Sequence, residues 1–403
     1  MSEVQEPTAN AEDTTTGNAE STKYTRNNPY NSTVALNYLL TGKDSEKQTR
    51  HIAFVLEEGM TYAPGDSIGV NPEHRAEAVA EALTALGFTG DERVLDHYKV
   101  EIGFEEALRT RVAIGKLTRG SIGQYAKLAG AVNCGGRGYG ELKALCGPEN
   151  KARAEEYCWG REFIDLLHDF PGAVTKPQEL FNVLPRLTPR LYSIASSHAA
   201  HPQTAETSVR VVRYDMHGRS RQGVCSGQLG ERAGVGTVLP VFLHSNQNFR
   251  LPEDPSAPVI MVGPGTGIAP FRAFLEERQA KGESGDNWLF FGDQHRATDF
   301  LYEEQLTAMV KDGTLTRLDT AFSRDQTQKI YVQDRMRENA AELYAWLECG
   351  AYFYVCGDAT QMAKSVELAL LDAIAAGANG TPEQAQEYLA GMKKQKRYQR
   401  DIY

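Results

Sequence analysis

VIMVGPGTGIAPFRAFLEER, residues 259–278, decides how the second half of the chain folds. Four apolar residues read as a buried strand, a Gly-rich turn follows, and apolar residues at helical spacing close the stretch. Gly263, Gly265 and Gly267 let the backbone approach a pyrophosphate or nicotinamide closely. The helix start beyond them presents N–H groups that suit anionic oxygens. Pro270 stands where a G-x-G-x-x-G pattern needs its third glycine. Taken alone, a tight strand–helix connection explains the glycines nearly as well.

Downstream, the same unit repeats. NWLFFGD (287–293) precedes DFLYEEQLTAMV (299–310), LTRLDTAFS (315–323) precedes a helix at YVQDRM (331–336), and AYFYVCG (351–357) precedes MAKSVELALLDAI (362–374). Strand–helix alternation predicts a doubly wound parallel sheet over 256–403. Upstream, FRLPEDPSAP (249–258) reads as a Pro-rich linker. Before it lie β-rich runs at 34–42, 49–57, 66–72, 190–197, 207–216 and 236–244, with the charged turn KDSEK between the first two. They predict an antiparallel β-barrel of residues 27–72 and 185–250. Residues 73–184, from HRAEAVAEALTALGF onward, keep helical spacing and read as a helical insertion. Residues 1–26 carry almost no large apolar side chains and read as a disordered tail. The fold class is therefore α+β and α/β multidomain: barrel, helical insertion, parallel sheet.

The net charge is −10, which argues against a general nucleic-acid binder. The six cysteines form no C-x-x-C pair, and no Cys/His cluster has zinc spacing, so no metal is expected. So few cysteines in so long a chain suit free thiols in a reducing cytoplasm better than a disulfide framework. The N-terminus lacks the basic and apolar regions of a secretory signal, and no apolar run is long enough to span a bilayer.

Five further segments carry chemistry. AFSRDQTQKIYVQDR (321–335) groups Ser323, Arg324, Lys329, Tyr331 and Gln333 at a strand end, where an Arg fork and a Lys suit a phosphate monoester and Tyr331 suits adenine stacking. An ordinary polar loop before a helix explains it equally well. RLYSIASS (190–197) sends Arg190 and Tyr192 to one face of a strand, as a plain amphipathic strand also does. In RQGVCSGQLGERAG (221–234), Gly223 to Ser226 open a short helix. YVCGDATQM (354–362) places Cys356 and Asp358 at a strand end, where a buried cysteine is by default a small hydrophobe. KRYQRDIY (396–403) ends the chain on Tyr403, and its basic lead-in (393–400) reads as a solvated helix end or a dock for an acidic partner.

Taken in order, these motifs resemble the ferredoxin–NADP reductase module of the diflavin reductase family, and within it the sulfite reductase branch, from about residue 30 to the end. The resemblance implies that Arg190, Leu191, Tyr192 and Ser193 hold FAD, with Gly223, Val224, Cys225 and Ser226 at its diphosphate. Ser208, Val209, Arg210 and Tyr214 would flank it, and Tyr403 would stack on its ring. NADP would lie on Gly265, Thr266 and Gly267, with Ser323, Arg324, Lys329, Ile330, Tyr331, Val332 and Gln333 at its adenosine end. Ser193, Cys356, Asp358 and Asp401 would surround the hydride path. The implied activity is hydride transfer from NADPH to FAD. The electrons would go on to a separate acceptor: a sulfite reductase hemoprotein, or a flavodoxin-like or ferredoxin-like carrier. Alternatives are a stand-alone ferredoxin–NADP reductase, which the large insertion argues against, and an inactive flavin-binding interaction module. Two departures stand out. Only a short polar tail precedes the module, so no FMN domain is expected in this chain. Ser365 stands where close relatives have an acid.

Overall fold

A computed structural model describes residues 23–131 and 138–403. The first half is built on six antiparallel strands. These are β1 (Tyr30–Leu39), β2 (Thr49–Val55), β3 (Ser67–Val70), β6 (Arg190–Ser193), β7 (Thr204–Arg210) and β10 (Val238–His244), in the order β6-β3-β10-β1-β2-β7. The edges close on each other: Ala195 N donates to Glu206 O at 2.7 Å, and Thr207 Oγ1 donates to Ser193 O at 3.0 Å. Closure leaves no exposed edge and seals a core of Val34, Ile52, Phe54, Ile68, Val209 and Val241. Tyr24 packs against this core. Residues 1–22 of the expected tail lie outside the described residues.

Between β3 and β6 come helices α1 (Ala76–Leu86), α2 (Phe104–Thr110), α3 (Arg119–Ala131), α4 (Tyr139–Leu145), α5 (Lys151–Cys158), α6 (Phe163–Asp169) and α7 (Leu180–Val183). They share one core, which includes Phe104, Leu108, Tyr125 and Phe163. The insertion differs from the sequence reading in two ways. A small ribbon, β4 (Arg93–Leu95) with β5 (Glu101–Gly103), interrupts the helices. The helical reading does not run unbroken through 152–170: α5 and α6 are separated at Gly160, whose φ of 67° is left-handed. The run 207–216 also splits: β7 ends at Arg210, and β8 (Arg213–Met216) turns through Gly218 into β9 (Arg219–Gln222). Helix α8 (Val224–Gly227) follows directly.

The second half is a five-stranded parallel sheet in the order β13-β12-β11-β14-β15. Its strands are β11 (Val259–Val262), β12 (Asn287–Asp293), β13 (Arg317–Phe322), β14 (Tyr352–Gly357) and β15 (Tyr398–Ile402). β11 is buried along its whole length, as expected of a parallel strand covered on both faces. α9 (Ala269–Lys281) covers one face together with α11 (Glu303–Asp312), which the short α10 (Arg296–Asp299) precedes. α12 (Val332–Glu338), α13 (Ala340–Glu348), α14 (Met362–Gly377) and α15 (Pro382–Lys394) cover the other. Two expectations are corrected here. The basic stretch 393–400 is a helix end only at Lys393 and Lys394, which close α15; from Tyr398 the chain forms β15, paired in parallel with β14. The proline-rich stretch is not a free linker, because fully buried Phe249 packs its ring 5.6 Å from Phe274 and 5.5 Å from Tyr354.

Candidate active site

Strand order reverses between β11 and β14, and the crevice outside their carboxyl ends is where ligands of such sheets bind. Three chain segments converge there. Cys356, near the end of β14, is in register with Asp401 of β15. From the barrel, β6 brings Ser193, whose hydroxyl donates to Asp401 Oδ2 at 2.6 Å. Cys356 Sγ lies 3.9 Å from the same oxygen. Burial pushes the Cys356 thiol well above its ordinary value, and the Asp401 charge adds to this. Burial also raises Asp401, partly offset by the hydrogen bonds it accepts from Ser193 and Cys356.

Tyr403 is clamped rather than frayed. Its N–H donates to Gly357 O at 3.1 Å, its carbonyl accepts from Ala359 N at 3.0 Å, and its hydroxyl lies 3.0 Å from Thr266 Oγ1. Asp358 departs from the expected cluster. Its Oδ1 accepts from Gln361 N at 2.7 Å and Met362 N at 3.1 Å, closing the start of α14. Partial burial works against its charge, yet those N–H groups hold it below the ordinary carboxylate range.

The three turn glycines are not equivalent. A Cβ on Gly267 would fall 2.2 Å from Cys356 O, and one on Gly263 would fall 2.5 Å from Gly267 O. Both glycines are required by close chain-to-chain approach. Gly265 has a left-handed φ of 57°, and a Cβ there would meet only Asp293 Oδ2, at 3.8 Å. The turn therefore opens outward at Gly265 and Thr266, and this clearance fits a dinucleotide.

The remaining expected residues divide by exposure. Ser323 and Arg324 extend the pairing of β13, their N–H groups donating to Asp293 O and Gln294 O at 2.9 Å. Arg324, Lys329 and Tyr331 are exposed, with Tyr331 at the N-cap of α12. Gln333 is half-buried in the first turn of α12. Ile330 packs against the sheet core and Val332 lies within it, so their side chains face away from any ligand. In the barrel, Arg190, Leu191, Tyr192 and Ser193 are half-buried along β6. Cys225 and Val209 are core residues, so only their backbones are available to a ligand. Arg210 and Tyr214 are exposed. Gly223 is the N-cap of α8, which Val224, Cys225 and Ser226 open. The Ser208 hydroxyl is engaged elsewhere, 2.8 Å from that of Tyr302.

That last contact belongs to a clasp between the halves that the sequence reading missed. Arg272 of α9 is nearly buried; its Nη1 donates to Ala195 O at 2.7 Å and to Glu206 at 2.8 Å, and its Nη2 pairs with Glu276 at 2.7 Å. The Tyr302 hydroxyl also lies 2.9 Å from His51 Nδ1. Burial works against the Glu206 charge, but His51 and Arg272 bring its pKa down to about 2. The available signal was a pair of opposite charges at i and i+4 inside the apolar run FRAFLEER.

Among the described residues, no group of His, Cys, Asp and Glu has the makings of a metal site, and no helix is long and apolar enough to cross a membrane. The described cysteines, Cys146, Cys158, Cys225, Cys349 and Cys356, are all free thiols.

Residues 138–227 match the FAD binding domain family, and residues 261–368 match the oxidoreductase NAD-binding domain family. The chain is 45% identical over 382 residues to the sulfite reductase [NADPH] flavoprotein alpha-component of Bacillus subtilis, covering 94% of this chain and 62% of that protein. It is 44% identical over 381 residues to the protein of the same name from Mannheimia succiniciproducens, again covering 94% and 62%. The one from Photorhabdus laumondii is 42% identical over 396 residues, covering 98% of this chain and 64% of that protein. The chain thus spans less than two thirds of the length of these relatives.

Proposed function

We propose that this chain, which matches an FAD binding domain family and an oxidoreductase NAD-binding domain family, oxidises NADPH and delivers the electrons to a separate protein. The observation that carries this reading is the meeting of Ser193, Cys356 and Asp401 at the order reversal of the sheet, with Tyr403 beside the Gly-rich turn. FAD, when bound, supplies the two-electron chemistry.

The chain's own residues bind, orient and exclude water. Arg190, Leu191, Tyr192 and Ser193 hold the flavin side, with the opening of α8 at the diphosphate. Arg324, Ser323 and Lys329 grip the 2′-phosphate, and Tyr331 stacks on adenine. Ser193 and Asp401 fix a polar edge beside the path of the hydride. Cys356 stays a neutral thiol at physiological pH, because burial disfavours its thiolate, so it packs and excludes water rather than attacking as a nucleophile. Tyr403 covers the ring face that a nicotinamide must reach. The relatives' name points to a sulfite reductase hemoprotein as the acceptor, and the free thiols suit the cytoplasm.

Purified protein is expected to be yellow and to reduce ferricyanide with NADPH much faster than with NADH. A colourless protein that FAD cannot reconstitute overturns the reading. Adding a sulfite reductase hemoprotein in place of ferricyanide tests the acceptor, which is wrong if NADPH oxidation then stays at background.

A further inference from the structure

The tip of the β1–β2 hairpin leaves the barrel and lies across the parallel-sheet half. Gly42 N donates to Thr298 O at 2.7 Å, and a Cβ on Gly42 would sit 3.1 Å from Thr298 Cα, so the approach is a tight one. The Ser45 hydroxyl donates to Asp299, and Lys47 pairs with Asp293, the last residue of β12. The Lys47–Asp293 pair is nearly sealed, with 14% and 2% of the two side chains exposed. These contacts fix the residue between them. Glu46 lies on the guanidinium of Arg324.

We propose that Glu46 is a specificity-determining residue that stands in for the 2′-phosphate, holding Arg324 until a phosphate monoester displaces it. The proposal rests on the assignment of Arg324 to the 2′-phosphate made above. The Glu46 and Arg324 side chains are 66% and 41% exposed, so exchange is unobstructed and the pair is weak. A phosphate monoester carries more charge than a carboxylate and three acceptor oxygens, so it wins the guanidinium. A dinucleotide lacking that phosphate has nothing to exchange and meets an Arg324 already neutralised. The tip cannot withdraw after exchange, because Lys47 and Ser45 remain tied. Glu46 then stays near the bound phosphate and repels it. A residue of the barrel thereby trims the affinity of the sheet for NADPH.

Calorimetric titration of the FAD-loaded protein with 2′,5′-ADP and with 5′-AMP tests this. Glu46→Gln should tighten 2′,5′-ADP roughly two- to fivefold, the size of one exposed charge pair, and leave 5′-AMP unchanged. In an Arg324→Ala background the gain should shrink, because only the direct repulsion between Glu46 and the phosphate is left to remove. If Arg324→Ala weakens 2′,5′-ADP but Glu46→Gln does not tighten it, or shifts both ligands alike, the role of Glu46 is refuted while the phosphate site stands. If Arg324→Ala leaves 2′,5′-ADP binding intact, the phosphate-site assignment fails and this proposal falls with it.

Discussion

At the proposed hydride end of the site, Ser193, Cys356 and Asp401 meet from three strands, two of them 208 residues apart in the chain. At the proposed phosphate end, Ser323 to Gln333 form one continuous stretch, and Arg324, Lys329 and Tyr331 are exposed. The first end costs folding energy through its carboxylate: Asp401 is desolvated and pushed up, whereas Cys356, also pushed up, is buried as a neutral thiol. The second keeps its charges in water. Function at the buried end is therefore expected to trade against stability, whereas at the exposed end it is not.

Asp401→Asn is the strongest way to break that comparison. A carboxylate whose folded pKa is raised binds its proton more readily in the folded state. Its contribution to stability is full below the ordinary carboxylate pKa and is lost as pH rises through the folded value. At neutral pH the charged Asp401 thus opposes folding, and an uncharged Asn removes the penalty while its side-chain oxygen can still accept from Ser193. The thermal midpoint at pH 7 should rise, with the gain shrinking on acidification. Flavin bleaching by NADPH, followed by rapid mixing, should slow about a hundredfold as fixed charge beside the hydride path is lost. A variant that loses stability, or that keeps its rate, would show that the cluster is ordinary packing.

Arg324→Ala sharpens the other side. A hydrogen bond to a charged partner contributes about 1.5 kcal/mol at the low end that suits an exposed residue, or roughly tenfold. KM for NADPH should rise by about that factor, with kcat and the NADH kinetics unchanged. The thermal midpoint should stay put, because exposed substitutions seldom move stability by more than about 0.5 kcal/mol. A parallel loss with NADH would mean that Arg324 supports the loop rather than reading the phosphate.

The same contrast explains what could be read in the sequence. Parallel strands buried on both faces, such as Val259–Val262, announce themselves as apolar runs, and each is followed by its helix. The proposed phosphate segment could be picked out as a candidate because it is contiguous. The meeting of Ser193 with Asp401 has no local pattern to announce it, and the two residues were brought together only by family resemblance. The strand at Tyr398–Ile402 was missed because its sequence, YQRDI, is polar; it is placed by pairing with β14, not by propensity. The Arg272–Glu206–Tyr302 clasp was missed for the same reason, because its partners come from different halves of the chain. Asp358 shows another gap: a carboxylate at a strand end reads as chemistry, and the sequence does not announce the two backbone N–H groups of α14 that it accepts from.

Between the two ends lies the Gly-rich turn, where sequence spacing makes Gly263, Gly265 and Gly267 look alike. Gly263 and Gly267 have backbone within 2.5 Å of any added Cβ, so a side chain at either forces the turn away from itself or from β14. At Gly265 the obstacle is only the left-handed φ of 57°. Gly265→Ala should therefore fold, at a cost of about 1 kcal/mol for a non-glycine residue in that region, read as a small shift in the urea midpoint. NADPH affinity should fall alongside it, because the added methyl takes up the clearance the dinucleotide needs, while flavin content stays unchanged. If Gly265→Ala were as disruptive as a backbone clash, the turn would be a packing device throughout. If it left NADPH binding untouched, the dinucleotide would have to run elsewhere than over the opening beside Thr266.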